Sequence, residues 1–242
     1  MYLWALPTNG PTDAATANRL QEFLSVQERN EARRFRRVRE QQQFVMARAL
    51  VRLALSRHFP IPSDDWRFDR DRNGRPFIAA PMTPPPVRFS VSHTEGLIAC
   101  LITLSAEAAV DVEKVEHDQD LAPVAREVLS LAEQRALSRL TGRDWTARFF
   151  DHWTLKEAYA KARGLGLSLA LSDIGFDLNQ DNSIRVHFSS RVDDNSAAWE
   201  FWCRHLSPQH TASVAAKKEC GERFEIILRT VQFDGATIAF ET

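Results

Sequence analysis

The 242-residue sequence predicts a mixed α and β protein in two parts. Three observations predict it. Long stretches with helical apolar spacing, near residues 12–59 and 120–163, stand beside short runs that alternate apolar and polar residues as strands do. A small-residue link, SAEAA at 105–109, interrupts the chain. Charge changes sign across that link. Residues 1–96 hold 15 Arg and no Lys against 10 acids, whereas residues 97–242 hold 16 basic and 22 acidic residues. The length suits two domains of roughly 120 residues, and a boundary is expected near 105–109, giving halves 1–106 and 107–242.

Each element has its own signal. TDAATANRLQEFLSVQERNEARRF reads as one helix, with Thr12 and Asp13 as caps and Leu20, Phe23 and Leu24 as its apolar stripe. REQQQFVMARALVRLALSRHF reads as a longer, more buried helix that Pro60 ends. DDWRFDRDRNGRPFI reads as two short strands around a turn at Asn73-Gly74. PMTPPP is a proline-rich loop, and VRFSVSHTEGLIACLITL holds two apolar runs split by a polar turn. AVDVEKV alternates as a strand. Helices are expected near 120–141 and 144–163, with GLGLSL closing the second. IGFDL, SIRVHF, AWEFWCRHL, TASVAAK and RFEIILRT then read as short strands. No sequence repeat is visible.

Composition excludes several classes. No apolar run approaches the roughly 18–20 residues of a membrane span. The opening MYLWALPTNGPTD lacks the basic and long apolar regions of a signal peptide. Cys100, Cys203 and Cys220 form no CxxC pair, so free thiols in a reducing, cytoplasmic setting are expected. The run RNEARRFRRVR carries six arginines, at 29, 33, 34, 36, 37 and 39. It reads either as a solvated helix face or as a surface for an anionic ligand, an acidic partner or nucleic acid.

Three places carry chemistry. In the strand AVDVEKV, Asp111 and Glu113 share one face at about 6.5–7 Å backbone spacing. They can ligate one hard cation, or form an ordinary solvated strand face. In DHWTLKEAYAKARGLGLSL, a helical turn of about 100° per residue groups Phe149, Trp153, Lys156 and Ala160, with Glu157 and Lys161 on the adjoining flank. Lys156 and Glu157 therefore border the apolar stripe and are expected half-buried. The chain uses 26 arginines and 5 lysines, yet lysine stands at both 156 and 161, a compact charge suited to a phosphate oxygen. A plain Glu157–Lys161 helix pair fits the same spacing. In FSVSHTEG, Ser92 and His93 end a strand before Gly96, and could bind phosphate or be structural. No GxSxG elbow accompanies them, which argues against a hydrolase nucleophile.

Taken in order, Ser92-His93, then Asp111-x-Glu113, then Trp153-x-x-Lys156-Glu157-x-x-x-Lys161 resemble the pattern of the Sfp-type 4′-phosphopantetheinyl transferases. VDVEKV and HWTLKEAYAKARGLGLSL are its most specific parts. NGRPFI resembles the family's Gly-Lys/Arg-Pro turn, and FVMARALVR its arginine-bearing helix. The resemblance spans roughly residues 30–175.

The resemblance implies two similar α/β halves related by a pseudo-twofold, with coenzyme A held by both. It implies transfer of the phosphopantetheine arm of coenzyme A to a serine of an acyl or peptidyl carrier protein, releasing 3′,5′-ADP. By this likeness Asp111, Glu113 and Glu157 are magnesium ligands, with Mn²⁺ as an alternative, and Glu157 is also the general base. Lys161 stabilises the leaving phosphate. Lys156, His93 and Ser92 contact phosphates, while Arg75 and Arg48 hold the 3′-phosphate or adenine end. Two departures stand out. Ala109 replaces a glycine before the DxE strand, and Gln43 stands where the pattern places a 3′-phosphate arginine, so either Arg48 substitutes or that contact is weaker. An acidic carrier protein, a monomer, and no membrane or nucleic-acid partner are further expectations. The rival readings are a metal-dependent phosphodiesterase or nuclease and a non-catalytic Arg-rich nucleic-acid-binding module. The usual nuclease ExK spacing is absent, because Glu113 and Lys114 are adjacent and point to opposite faces.

Overall fold

A computed structural model describes the chain except for residues 9–13, 84, 118–119, 165–168, 180, 182, 219–223, 235–236 and 242. The expected cap at Thr12 and Asp13, most of GLGLSL and Cys220 lie outside the described residues. The chain forms two compact units: residues 1–105 with 225–242, and residues 106–224.

The first unit begins with β1 (Tyr2–Pro7), α1 (Ala14–Glu22), α2 (Val26–Ala32) and α3 (Val38–His58). Two hairpins follow: β2 (Arg67–Arg70) with β3 (Pro76–Ala80), and β4 (Val87–Thr94) with β5 (Leu97–Leu104). Gly74 turns the first hairpin at φ 80°, a left-handed conformation that suits glycine. β5 is buried from Leu97 to Thr103 because β1 and β4 flank it, both antiparallel, while α3 covers it. Leu50, Val51, Ala54 and Leu55 of α3 pack there against Trp4, Ile98, Cys100 and Trp66.

The first expected helix is two. Ser25 Oγ accepts from the Glu28 N–H at 3.2 Å, and Glu28 Oε2 accepts from the Ser25 N–H at 2.9 Å. This reciprocal cap starts a new helix where the apolar spacing alone suggests continuation.

The second unit runs β6 (Ala108–Lys114), α4 (Ala122–Val128), α5 (Leu131–Leu137) and α6 (Gly142–Arg163). It continues with the hairpin β7 (Ile174–Leu178) and β8 (Ile184–Phe188), then the hairpin β9 (Trp199–Ser207) and β10 (His210–Lys217). β10 lies between β6 and β9, antiparallel to both and buried from His210 to Ala216. Leu155, Ala158, Tyr159 and Ala162 of α6 pack with Ala109, Ala215 and Trp199. Gly164, at φ 65°, closes α6. The helix expected over 120–141 is again two, divided by the same serine–glutamate cap at Ser130 and Glu133.

Two last strands, β11 (Ile227–Asp234) and β12 (Thr237–Glu241), return to the first unit, with β11 parallel to β1. The expected second half of 107–242 is thereby corrected: it ends at 224, and the tail completes the first sheet, burying Val231 in the first core. β1 carries no alternating strand signal in the sequence. YLWALP, central between β5 and β11, buries Leu3, Trp4, Ala5 and Leu6 in succession, so both its faces are covered. Such a strand shows no alternation.

The two units repeat one plan of strand, three helices, hairpin, hairpin. In each, the final strand of the second hairpin sits between its partner and the unit's first strand. The fold is two similar α/β units.

Candidate active site

The acids of β6 do not form a solvated face. Val110 and Val112 are buried, as alternation requires, but Asp111 is only 3% exposed. Its Oδ1 lies 2.5 Å from Lys161 Nζ on α6. Glu113, two residues along the same strand, is half-buried.

On α6, Glu157 is half-buried one turn before Lys161. Burial, and next the charge of Asp111, push its carboxyl above the ordinary glutamate range, while Lys161 pulls it down. Asp111, Glu157 and Lys161 thus form one electrostatic group within the second unit. Beside its i, i+4 neighbour Glu157, Lys161 also makes a contact from helix to strand. A carboxylate raised toward neutrality is a stronger base than an exposed one.

The donor set suits a hard cation that substrate would help to hold. Among the described residues, no three acidic, His or Cys side chains are gathered closely enough to hold a metal ion themselves. Magnesium asks for less: one or two carboxylates complemented by phosphate oxygens and water. The buried Asp111 and the half-buried Glu157 and Glu113 carry carboxylate oxygens, the donor type such an ion takes.

Lys156 is placed otherwise than the sequence suggests. It is 0% exposed. Its ammonium lies 2.8 Å from Glu133 Oε2 and donates to the Leu171 carbonyl at 3.0 Å and to the Ile174 carbonyl. An ammonium has three protons, and all three are taken inside the unit. The expected phosphate contact at Lys156 is therefore corrected to an interior structural role.

The partner of Lys156, Glu133, is the residue the sequence reading missed. Its visible signal is SLAE at 130–133, the Ser-x-x-Glu signature of a helix start. Besides its cap it accepts from the Phe176 N–H at 2.8 Å and lies 3.1 Å from His152 Nδ1. Burial raises its carboxyl, but the adjacent His152 ring and the Lys156 charge outweigh burial and hold it near a pKa of about 2. A depressed carboxyl supports folding above its ordinary value of 4.5, and that support fades as pH falls toward about 2. Urea midpoints of wild type and Glu133→Gln should therefore differ most at neutral pH and converge on acidification across that window. A gap independent of pH would show that folding does not shift the Glu133 carboxyl, and a gap that widens on acidification would show that it is raised instead.

In the first unit, β4 carries Ser92 buried and the adjacent His93 exposed. Gln43 of α3 donates to the Thr94 carbonyl at 3.4 Å, so this position tethers the helix to the end of β4. Arg48 and Arg75 are not brought together. Arg48 lies 3.8 Å from Glu28 and lines a cavity of about 200 Å³ with Arg52, Arg67, Asp69 and Arg70. Arg75 follows Gly74 in the β2–β3 turn, where its N–H donates to Asp71 Oδ1 at 3.0 Å. It lines a separate groove of about 340 Å³ with Phe77, Ile78, Met82 and Phe89. The arginine run is an exposed stretch, with Arg37 paired to Glu40 at 3.0 Å and Arg39 to Glu95 at 2.8 Å.

Comparison with known proteins covers both units. Residues 107–216 match the model of the 4′-phosphopantetheinyl transferase superfamily, and residues 11–105 match that of the 4′-phosphopantetheinyl transferase N-terminal region. The 4′-phosphopantetheinyl transferase Sfp of Bacillus subtilis is 26% identical over 186 residues, which cover 77% of this chain and 80% of that protein. HetI of Nostoc, also a 4′-phosphopantetheinyl transferase, is 26% identical over 168 residues, covering 69% and 70%. A phosphopantetheinyl transferase of Thraustochytrium is 25% identical over 232 residues, covering 90% and 79%. Among solved structures, a holo-(acyl-carrier-protein) synthase from Bacillus anthracis in complex with CoA (3′,5′-ADP) is similar at a TM-score of 0.39 and 18% identity, over 46% of this chain and 93% of that one. With family matches running through both units, and with the DxE strand and KExxxK helix contributing Asp111, Glu157 and Lys161 to one group, the chain belongs to the Sfp-type 4′-phosphopantetheinyl transferases.

Proposed function

We propose that this protein transfers the 4′-phosphopantetheine arm of coenzyme A to a serine of an acyl or peptidyl carrier protein and releases 3′,5′-ADP. The single observation that carries this reading is the Asp111–Glu157–Lys161 group, in which two acids and a lysine from the family's two most specific motifs meet. The bond formed joins the serine oxygen to the phosphorus that bears the pantetheine arm. The bond broken joins that phosphorus to the bridging oxygen, which leaves with 3′,5′-ADP.

Glu157, half-buried on α6 one turn before Lys161, takes the proton of the serine hydroxyl. Lys161 neutralises the charge that grows on the departing phosphate, as preorganised donors do in phosphoryl transfer. Asp111, Glu113 and Glu157 are the residues that would hold Mg²⁺, or Mn²⁺ in its place. A bound ion of this kind would screen the diphosphate and polarise the phosphorus.

In the first unit, His93 and Ser92 on β4 are assigned to phosphate oxygens. Arg75 in the turn and Arg48 beside its cavity are assigned to the 3′-phosphate and adenine end. Arg33, Arg34, Arg36, Arg37 and Arg39 are all exposed, which supports an acidic carrier protein as partner. One chain carries both units, which supports a monomer. Among the described residues no helix is long and apolar enough to cross a membrane, and the free thiols of Cys100 and Cys203 support a cytoplasmic setting.

Intact mass of an apo carrier protein incubated with the enzyme, coenzyme A and Mg²⁺ tests the reading. A gain of about 340 Da is expected from the transferred arm, and EDTA should abolish it. No gain, together with no binding of coenzyme A, would overturn the assignment.

A further inference from the structure

The two units share more than their order of elements. In each, a serine–glutamate cap opens the middle helix: Ser25 and Glu28 on α2, Ser130 and Glu133 on α5. Each glutamate is buried and receives a buried cation from the unit's long helix. Arg52 Nε lies 2.8 Å from Glu28 Oε2, and Lys156 Nζ lies 2.8 Å from Glu133 Oε2. A second basic side chain stands one turn earlier on that helix, Arg48 at 3.8 Å from Glu28 and His152 at 3.1 Å from Glu133.

The correspondence continues beyond the helix. Arg52 donates to the carbonyl of Ser63, and Lys156 to that of Leu171. Five residues after each carbonyl comes a phenylalanine whose ring lies under the cation, Phe68 at 4.9 Å and Phe176 at 6.0 Å. Setting Arg52 on Lys156 places Leu53 where the second unit has Glu157, and Arg57 where it has Lys161. The first unit therefore keeps the same frame without the Glu157 carboxylate. The frame does not depend on that acid.

We propose that Glu133, His152 and Lys156 form a positioning set that fixes the rotation of α6, and so aims Glu157 and Lys161. This inference rests on the functional reading above. Residues 152 and 156 share one helix face, and 157 lies about 100° further round. Anchoring Lys156 to Glu133 and to two carbonyls after the helix sets where the Glu157 carboxylate points.

Three variants test it: Lys156→Met, Glu133→Gln, and both together. Lys156→Met strands a buried carboxylate, so kcat should fall at least about tenfold and the urea midpoint should drop. KM for coenzyme A should stay within about threefold, because Lys156 does not touch substrate. Adding Glu133→Gln removes the stranded charge and should bring the midpoint back to that of Glu133→Gln alone, a coupling that independent sites do not show. Additive midpoint losses would overturn the proposal. So would a large rise in KM for coenzyme A that Glu133→Gln does not relieve, which would return Lys156 to the phosphates. If Lys156→Met alone does not fold, comparing Glu133→Gln with the double variant decides: a further fall in kcat with KM for coenzyme A unchanged supports the positioning role, and an unchanged kcat or a large rise in KM refutes it. A wild type inactive on every carrier protein tested would instead overturn the functional reading, and the aiming role with it. Coupled urea midpoints in the same variants would then still identify the Glu133–Lys156 pair as structural.

Discussion

Glu157→Gln is expected to lower the single-turnover rate of arm transfer by about 10³-fold or more, with the fold intact. Glutamine keeps the shape of the side chain and can still accept a hydrogen bond, but it cannot take the serine proton. Loss of a positioned general base alone removes roughly 10²–10⁴ in rate, and the same change removes one oxygen ligand of proper charge from the proposed cation site. Stability should move the other way. Glu157 is raised partly by repulsion from Asp111, so neutralising it relieves a like-charge contact and the urea midpoint should hold or rise. Single-turnover transfer followed by intact mass, with a urea curve on the same sample, checks both halves. Near-normal turnover would remove Glu157 from both of its roles. A lowered midpoint would show that the Asp111 repulsion is not felt in the folded protein.

Much of this site could be read from the sequence, for a physical reason. Asp111 and Glu113 sit at alternating positions of a strand with two valines between and before them, and Glu157 and Lys161 stand one helical turn apart. Both spacings follow from backbone geometry alone. What stayed hidden was long-range. Nothing local says that Asp111 faces Lys161 across 50 residues, or that Lys156 turns inward while its neighbour Glu157 stays half-buried. Lysine is rarely buried unless paired, and its partner Glu133 lies on another helix, 23 positions earlier in the chain. The internal repeat was hidden for a related reason. Its two copies conserve a cap, a buried acid, a cation and an aromatic ring, but use Arg in one and Lys in the other, with links of different length. Apolar spacing alone also ran α1 into α2 and α4 into α5, because a capping box breaks a helix without disturbing its hydrophobic period. The tail was assigned to the wrong unit because strand order in a sheet is not a local property: β11 pairs with β1 from the far end of the chain.

Lys161→Ala separates chemistry from structure, because Lys161 has a place in both. Its ammonium is a counter-ion of the buried Asp111 carboxylate, so its loss removes an opposite charge from a buried acid, and the urea midpoint should fall. If that were its whole role, neutralising Asp111 as well would restore the protein. The expected result is different. In the Asp111→Asn background the midpoint should recover, yet Lys161→Ala should still slow transfer by about 10²–10³-fold, the scale on which a preorganised donor acts on charge developing in the transition state. Coenzyme A affinity should change much less than kcat, because the leaving phosphate gains its extra charge only as the bond to phosphorus breaks. Lys161→Arg should lie between, since a guanidinium supplies the charge as a broad fork in place of a compact ammonium. The measurement is single-turnover rate against coenzyme A concentration for the single and double variants. A loss confined to affinity would refute the leaving-group role, and a Lys161→Ala effect that vanishes in the Asp111→Asn background would make Lys161 a counter-ion to the strand and nothing more.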